Sequence, residues 1–167
     1  PLVRALDGNL LATSAGNTAA FASTIRGAVV TLILASASPR RRELLHLLTR
    51  EFECIPSDID ETANVGELPE DYVIRMALEK AQAQMATDRL ILAADTTVTI
   101  DGAIFGKPSD KDEARMMLQR LSDREHMVHS AVAVRRGDDV RHCLVSTRVT
   151  FGCLTDRLIS QYLATSE

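Results

Sequence analysis

The chain has 167 residues, 46% of them hydrophobic and 4% aromatic, which is enough apolar material for a single domain with a real core. Its 19 basic and 23 acidic residues give a formal net charge of −4, so general binding to nucleic acid or to an anionic membrane surface is not expected. Because no apolar run approaches the roughly 18 residues that span a bilayer, the chain is predicted to be soluble.

The cysteines indicate the cellular compartment, and the first 30 residues indicate where the folded domain begins. Cys54, Cys143 and Cys153 have no Cys-x-x-Cys spacing and lie in strand-like segments. This pattern predicts reduced core residues of a cytoplasmic protein rather than a zinc site. Residues 1–30 are rich in Ala, Thr, Ser and Gly and are interpreted as a leader of uncertain order, with the folded domain expected over 31–167.

The first strong pattern is an apolar run at 32–35 that leads into three consecutive arginines. The run predicts a buried strand, and Ser38 followed by Pro39 has the residue types of a helix N-cap and first position. The arginines 40–42 then fall in the first turn, where free backbone amides make each cation cost about 0.3–1 kcal/mol. A bound phosphate would reverse that cost, so this segment with Ser36 is predicted to form an anion site. The alternative is that the arginines point into water.

A second strand is expected at 52–56, and an acidic loop follows it. Glu61 in that loop is a candidate ligand for a divalent cation, because oxygen-rich sites that retain water suit magnesium. A solvated acidic loop is the equal alternative. A long helix is predicted to open at Glu67-Leu68-Pro69-Glu70 and to run to about Ala86, and Arg75 and Glu79 are spaced to pair on its surface.

The run 89–94 is continuously apolar, as in a strand covered on both faces, and it is expected to end at Asp95. Ligands bind outside the carboxyl ends of strands in α/β sheets, so Asp95 would face the anion site if the two strands are neighbours. That geometry suits metal-assisted attack of water on a phosphoryl group, with the carboxylate as base or metal ligand. Lys80 and Lys107 are candidate point charges for the same anion, and each is otherwise an ordinary solvated lysine.

The remaining elements complete a mixed pattern. Asp101-Gly102 predicts a two-residue hairpin turn, and residues 137–139 join two alternating segments into a second hairpin. Helices are expected from about Ser109 to Leu121, and from Thr155 as N-cap to the end of the chain. Because strands separated by helices occur beside hairpins, the predicted fold class is α/β with a mixed, twisted sheet flanked by helices.

Several better-known phosphate motifs are absent from the sequence. There is no Gly-x-x-x-x-Gly-Lys-Ser/Thr loop and no Gly-x-Gly-x-x-Gly. The segment after Asp95 is similar to the Asp-x-Asp-x-Thr of haloacid-dehalogenase-like phosphatases, but Thr97 replaces the aspartate that serves as their general acid. The four histidines show no His-Glu-x-x-His pattern and are interpreted as structural; they are His46, His126, His129 and His142.

Five further motifs occur in one order: the segment 36–45 with its Ser-Pro-Arg-Arg, Glu79-Lys80-Ala81, Asp95-Thr96, Gly106-Lys107-Pro108, and His126 before Val128. Together they resemble the Maf family of nucleoside triphosphate pyrophosphatases over about residues 31–167. The resemblance implies a Maf or inosine-triphosphatase-like fold. It also implies cleavage of a nucleoside triphosphate between the α and β phosphates, with magnesium or manganese as the metal.

The resemblance further implies roles for single residues. Asp95 matches the family's proton acceptor, and Arg40 and Thr96 match positions that mark a branch acting on dTTP and UTP. The basic residues expected around the triphosphate are Arg41, Lys80 and Lys107. The implied task is removal of non-canonical or modified pyrimidine nucleotides from the pool.

The sequence departs from the family pattern in two places. Ser130 stands where the family usually has threonine, and the chain stops at Glu167, before an Asp-Lys-Ala-Gly segment and a base-selecting glutamine. A C-terminally shortened member is therefore expected, whose exposed sheet edge would favour a homodimer. The alternatives are a nucleotide-binding module with little or no turnover and a regulator acting through protein or DNA contacts, of which the acidic charge disfavours DNA.

Overall fold

The computed structural model describes Val3–Arg4, residues 31–85 and residues 88–165. The predicted leader therefore lies outside the described residues except at Val3–Arg4. The helices are α1 (Pro39–His46), α2 (Pro69–Gln82), α3 (Lys111–Leu121) and α4 (Asp156–Leu163). The strands are β1 (Val3–Arg4), β2 (Leu32–Leu34), β3 (Phe52–Cys54), β4 (Leu90–Ile100), β5 (Ala103–Phe105), β6 (Glu125–Arg136) and β7 (Asp139–Phe151). Each helix in these ranges is too short or too polar to cross a bilayer.

The chain forms two compact units, and β4, β6 and β7 each contribute residues to both. The parallel unit, as we name it, comprises the described parts of Asp7–Asp95 together with Ala131–Leu144. The hairpin unit comprises Val3–Arg4, Thr96–Ser130 and the described part of Val145–Glu167.

The parallel unit contains three neighbouring parallel strands. β2 pairs with β3 on one side and with β4 on the other, and Leu34 lies opposite Cys54 and Leu92 in the two ladders. The condition stated above, that the first strand and the strand leading to Asp95 are neighbours, is therefore met. One side of β4 presents Ile91 and Ala93, both fully buried, because alternate side chains share a face of a strand.

Helix α2 covers that face of the parallel unit. Its buried side chains Val73, Met76 and Ala77 recur at helical spacing, as the sequence predicts for an amphipathic helix. The opposite face carries an apolar groove of about 580 Å³ beside α1, floored by leucines of β2 and β4. In the parallel unit, α2 therefore covers one face of the strands, and the other face carries the groove beside α1.

The hairpin unit shows the predicted local turn chemistry. β4 and β5 pair antiparallel across Asp101 and Gly102, whose φ angles of 53° and 75° are the left-handed values that a type I′ turn requires. Asp110 caps α3 by accepting from the amides of Asp112 and Glu113. Antiparallel pairing here and parallel pairing in the other unit confirm the mixed α/β class.

Three predicted boundaries are wrong. β4 does not end at Asp95 but continues to Ile100, because the β-branched run after Asp95 contains no glycine or proline to stop it. Helix α2 ends at Gln82 rather than near residue 86, and α4 ends at Leu163. The α2 boundary is fixed by tertiary contacts that local propensity does not contain.

The cysteine prediction is wrong for two of the three residues. All three are free thiols, but Cys143 and Cys153 are exposed and only Cys54 is half-buried. Most side chains of β7 are exposed on both faces, so Cys143 is not inside a core. Cys153 follows the end of that strand.

Candidate active site

A buried charged contact in the parallel unit joins Lys80, Asp95 and Glu61. The Nζ atom of Lys80 lies 2.6 Å from Oδ1 of Asp95 and 2.8 Å from Oε1 of Glu61. The side chains of Lys80 and Asp95 are only 8% and 12% exposed, whereas that of Glu61 is 38% exposed. One buried ammonium therefore bridges a buried carboxylate and a partly solvated one, and the solvated lysine considered above is excluded for Lys80.

The fold explains this meeting. Asp95 shares a face of β4 with Ile91 and Ala93, which is the face that α2 covers. Lys80 lies in the last turn of α2, on the buried side of that helix. Removing charges from water costs several kcal/mol per ion unless they are paired, so the ammonium and the carboxylate each require the other.

Glu61 is brought to Lys80 by contacts within the acidic loop. The Tyr72 hydroxyl of α2 donates to the Glu61 carbonyl oxygen at 2.9 Å. Arg75 donates to both carboxylate oxygens of Glu67 at 2.7 Å and to the Thr62 carbonyl oxygen at 3.0 Å. Two side chains of α2 thus fix the loop at Glu61 and at the residues that follow it.

These contacts change the titration of the groups involved. The Arg75 guanidinium lowers the pKa of Glu67 from 4.5 to about 2, and the same hydrogen bonds raise the pKa of Arg75. Burial raises the pKa of Tyr72, and the charges of Asp95 and Glu61 add to that rise.

The loop is expected to stay ordered at mildly acidic pH. A carboxylate whose pKa is lowered on folding contributes stability above its ordinary pKa of 4.5, and this contribution is lost as pH falls toward about 2. A carbon-13 NMR titration of Glu67 should therefore give a midpoint near 2, and the Arg75→Met variant should move it back toward 4.5. A midpoint near 4.5 in the unmodified chain would contradict the contact.

The predicted anion site begins directly after β2. Ser38 is the N-cap of α1, and its hydroxyl oxygen accepts from the Arg41 amide at 3.4 Å. The Ser36 hydroxyl is buried and accepts from the Ser38 amide at 3.1 Å. No acidic side chain occupies the first turn of α1, so Arg40, Arg41 and Arg42 add positive charge to an end that is already positive.

Arg40 and Arg41 differ in environment. Arg40 is exposed, whereas Arg41 is half-buried and lines the apolar groove, together with Leu44 of α1 and with Arg136 and Arg141. The groove lies on the face of β4 that carries Leu92 and Ala94, which is opposite to the face of Asp95.

Thr96 and Lys107 belong to the hairpin unit. The Thr96 hydroxyl lies 3.1 Å from that of Ser130, so the serine supplies the same hydroxyl contact that a threonine would. Lys107 is exposed and immediately precedes Pro108.

Several polar contacts that hold the C-terminal end of α2 in place were not predicted from the sequence. Arg135 of β6 donates to the carbonyl oxygens of Gln82 and Gln84 at 3.1 and 3.0 Å and so caps the end of α2. The Ser57 hydroxyl donates to the Lys80 carbonyl oxygen at 2.7 Å and accepts from Nε2 of Gln84 at 2.8 Å. These pairs are too far apart in sequence for a local pattern to reveal them.

The histidines divide by burial. His129 is buried between the hydroxyls of Thr99 at 3.2 Å and Ser146 at 2.8 Å. His126 is buried against Phe151, and burial lowers its pKa below 6.5. Both belong to the hairpin unit.

The donor set limits what metal the chain can hold. Within residues 31–85 and 88–165, no group of three or more His, Cys, Asp and Glu side chains is arranged to bind an ion. Glu61 and Asp95 are oxygen donors that both contact the Lys80 ammonium. Carboxylate oxygens are the ligands that magnesium or manganese would take, largely through water and substrate phosphates, whereas a zinc site needs at least three protein ligands.

The sheet and the charged cluster define an α/β protein with a polar site on the parallel part of its sheet. The chain belongs to the Maf family, since the family model described as Maf-like protein matches residues 31–167.

Curated relatives share about half of the aligned residues. A dTTP/UTP pyrophosphatase of Pseudoalteromonas atlantica is 49% identical over 142 residues, which is 81% of this chain and 74% of that protein. A dTTP/UTP pyrophosphatase of Methylobacillus flagellatus is 48% identical, covering 81% and 70%. One from Shigella dysenteriae is 44% identical, covering 83% and 72%. A solved HAM1 protein from Coxiella burnetii, at 23% identity and a TM-score of 0.49 over 71% of either chain, is too distant to support an inference.

Proposed function

We propose that this chain is a nucleoside triphosphate pyrophosphatase that converts dTTP, UTP and modified pyrimidine nucleotides into the monophosphate and pyrophosphate. The observation that carries the proposal is the bridge from Lys80 to Asp95 and Glu61, with both distances at or below 2.8 Å. The Maf family membership and the relatives named dTTP/UTP pyrophosphatase support the reaction and the choice of substrates.

Asp95 is the proposed proton acceptor. Its carboxylate takes a proton from water as the water oxygen forms a bond to the α-phosphorus. The bond from that phosphorus to the bridging oxygen breaks, and pyrophosphate leaves with the electron pair. Lys80 holds the Asp95 carboxylate in one orientation, because its ammonium lies 2.6 Å from Oδ1.

The triphosphate is bound by the basic residues and by the start of α1. Free amides at a helix N-terminus attract phosphate, and the adjacent arginines become favourable once the anion is present. Ser36 and Thr96 are assigned as neutral substrate contacts. The assigned cations are Arg40, Arg41, Lys80 and Lys107.

The proposed metal ligand is Glu61. A divalent ion there supplies Lewis-acid stabilisation of charge on the phosphates. Glu61 suits this task because its carboxylate is partly solvated and so keeps room for water on the ion.

The remaining parts of the proposal concern organisation and location. We assign residues 31–167 as the catalytic domain, which is the range that the family model matches. A homodimer working in the cytoplasm, without nucleic acid or membrane as partner, completes the proposal.

The function is tested by pyrophosphate release from dTTP, UTP, CTP, GTP and a 5-methylated pyrimidine triphosphate, with magnesium or manganese. Release from dTTP and UTP is expected to exceed that from GTP by at least about tenfold, since a pocket that hydrogen-bonds one base leaves its polar groups unpaired with another. Release that needs no added metal would contradict the assignment of Glu61.

The same assay separates the enzyme from the binding-module alternative. Bound dTTP, measured by calorimetry, without pyrophosphate release would favour a module with little or no turnover. If the chain neither binds dTTP nor releases pyrophosphate, the proposed function is wrong.

A further inference from the structure

We propose that Arg75 is a positioning residue whose contacts with the acidic loop hold Glu61 against Lys80. The loop clamp, as we name it, consists of Arg75 and Tyr72 of α2 with their loop partners Glu67, Thr62 and Glu61. The inference rests on the proposed function for its kinetic consequence but not for its structural one.

The loop has little apolar burial of its own. Residues 60–66 are all exposed, and Val65 at its tip is fully exposed. Gly66 has a φ of 76°, which marks a tight turn between Asn64 and Glu67. A segment that buries so little apolar surface depends on hydrogen bonds for its order.

Arg75 supplies the strongest of those bonds. Its guanidinium meets the Glu67 carboxylate in a bidentate pair, with both distances at 2.7 Å, and Glu67 is only 10% exposed. The second oxygen of Glu67 also accepts from the Asn64 amide at 2.9 Å. The contact therefore extends from the helix through one carboxylate into the loop backbone.

The clamp contacts the backbone at Glu61 and at the residue that follows it. Arg75 donates to the Thr62 carbonyl oxygen, one residue beyond Glu61, and Tyr72 donates to the carbonyl oxygen of Glu61 itself. The guanidinium carbon of Arg75 lies 5.7 Å from the Tyr72 ring centre, so the two side chains support each other. The backbone of Glu61 is thereby fixed while its carboxylate reaches Lys80.

A matched control lies on the same helix. Glu79 accepts from Arg75 at 3.3 Å, which is longer than the bonds to Glu67, and among the described residues its side chain forms no hydrogen bond with the loop. Glu79→Gln therefore perturbs Arg75 without releasing the loop. Because an ion pair near the surface contributes little free energy, Glu79→Gln is expected to change kcat by about twofold or less.

The experiment compares Arg75→Met, Arg75→Lys and Glu79→Gln in the full chain by amide hydrogen exchange and dTTP kinetics. Arg75→Met is expected to abolish exchange protection of the Asn64 amide while the amides of α2 remain protected. The value of kcat for dTTP should fall about tenfold, because the Glu61 carboxylate would no longer be held against Lys80 beside Asp95. Arg75→Lys keeps the charge but not the bidentate geometry and should lose part of the protection.

The outcomes separate this inference from the proposed function. The clamp would be overturned if the Asn64 amide kept its exchange protection in Arg75→Met. It would also be overturned if Glu79→Gln lost as much of that protection as Arg75→Met. Lost protection with unchanged kcat would overturn the positioning role. Absence of turnover in the unmodified chain would overturn the proposed function, and the exchange measurement would still decide whether Arg75 orders the loop.

Discussion

Pyrophosphate release is expected to fall by about 10³-fold or more in Asp95→Asn, which keeps the shape of the side chain but cannot accept a proton at neutral pH. The introduced amide would still meet Lys80, whose ammonium also contacts Glu61, so the fold should be retained. Steady-state turnover of dTTP with magnesium, together with calorimetric titration of dTTP, measures both effects. Nucleotide affinity should change little, because the cations assigned to the triphosphate remain.

Asp88→Asn is the matched control for this substitution. Asp88 is exposed and lies two residues before Leu90, the first residue of β4, so its replacement makes the same chemical change outside the contact of Asp95 with Lys80. Turnover within about twofold of the unmodified chain is expected for it. Retained turnover in Asp95→Asn would remove Asp95 from its role as proton acceptor.

The largest effect on stability is expected for Lys80→Met. Methionine fills similar volume but leaves Asp95 as a buried carboxylate without its ammonium, and breaking a buried pair in this way costs about 3–5 kcal/mol. Urea denaturation followed by circular dichroism measures the loss in free energy of unfolding. Turnover should also be lost, since the Asp95 carboxylate would no longer be held in one orientation.

A double substitution tests the cause of that loss. Lys80→Met combined with Asp95→Asn removes the unpaired charge and should recover part of the stability lost in Lys80→Met alone. The exposed Lys111 serves as control, because Lys111→Met should change the free energy of unfolding by about 0.5 kcal/mol or less. A double variant less stable than the single one would show that the charge on Asp95 is not the source of the cost.

Local sequence determined the helix starts and the first hairpin. Ser38, Asp110 and Thr155 cap their helices through hydrogen bonds to amides within three residues, so the information lies in a short segment. Asp101-Gly102 fixes its turn for the same reason, since few residue pairs adopt two consecutive left-handed conformations.

The candidate site was only partly predictable. Spacing along the helix predicts a pair between Arg75 and Glu79, and that contact exists at 3.3 Å. Yet Arg75 makes its shorter, bidentate contact with Glu67, which lies before the helix in an irregular loop. Helical geometry predicts which residues of one helix lie next to each other, but it contains no information about a loop that folds back across the helix surface.

By itself the sequence determined the order of most strands and helices from residue 31 onward and the residue types that the site uses, because caps, turns and alternation depend on near neighbours. Only the tertiary structure decided that Lys80 bridges Asp95 and Glu61. The three residues meet because α2, which carries Lys80, packs on the face of β4 that carries Asp95. It also decided that β4 runs past Asp95 and that Cys143 is exposed. The physical reason is that burial and charge pairing depend on which surfaces meet, and distant parts of the chain supply those surfaces.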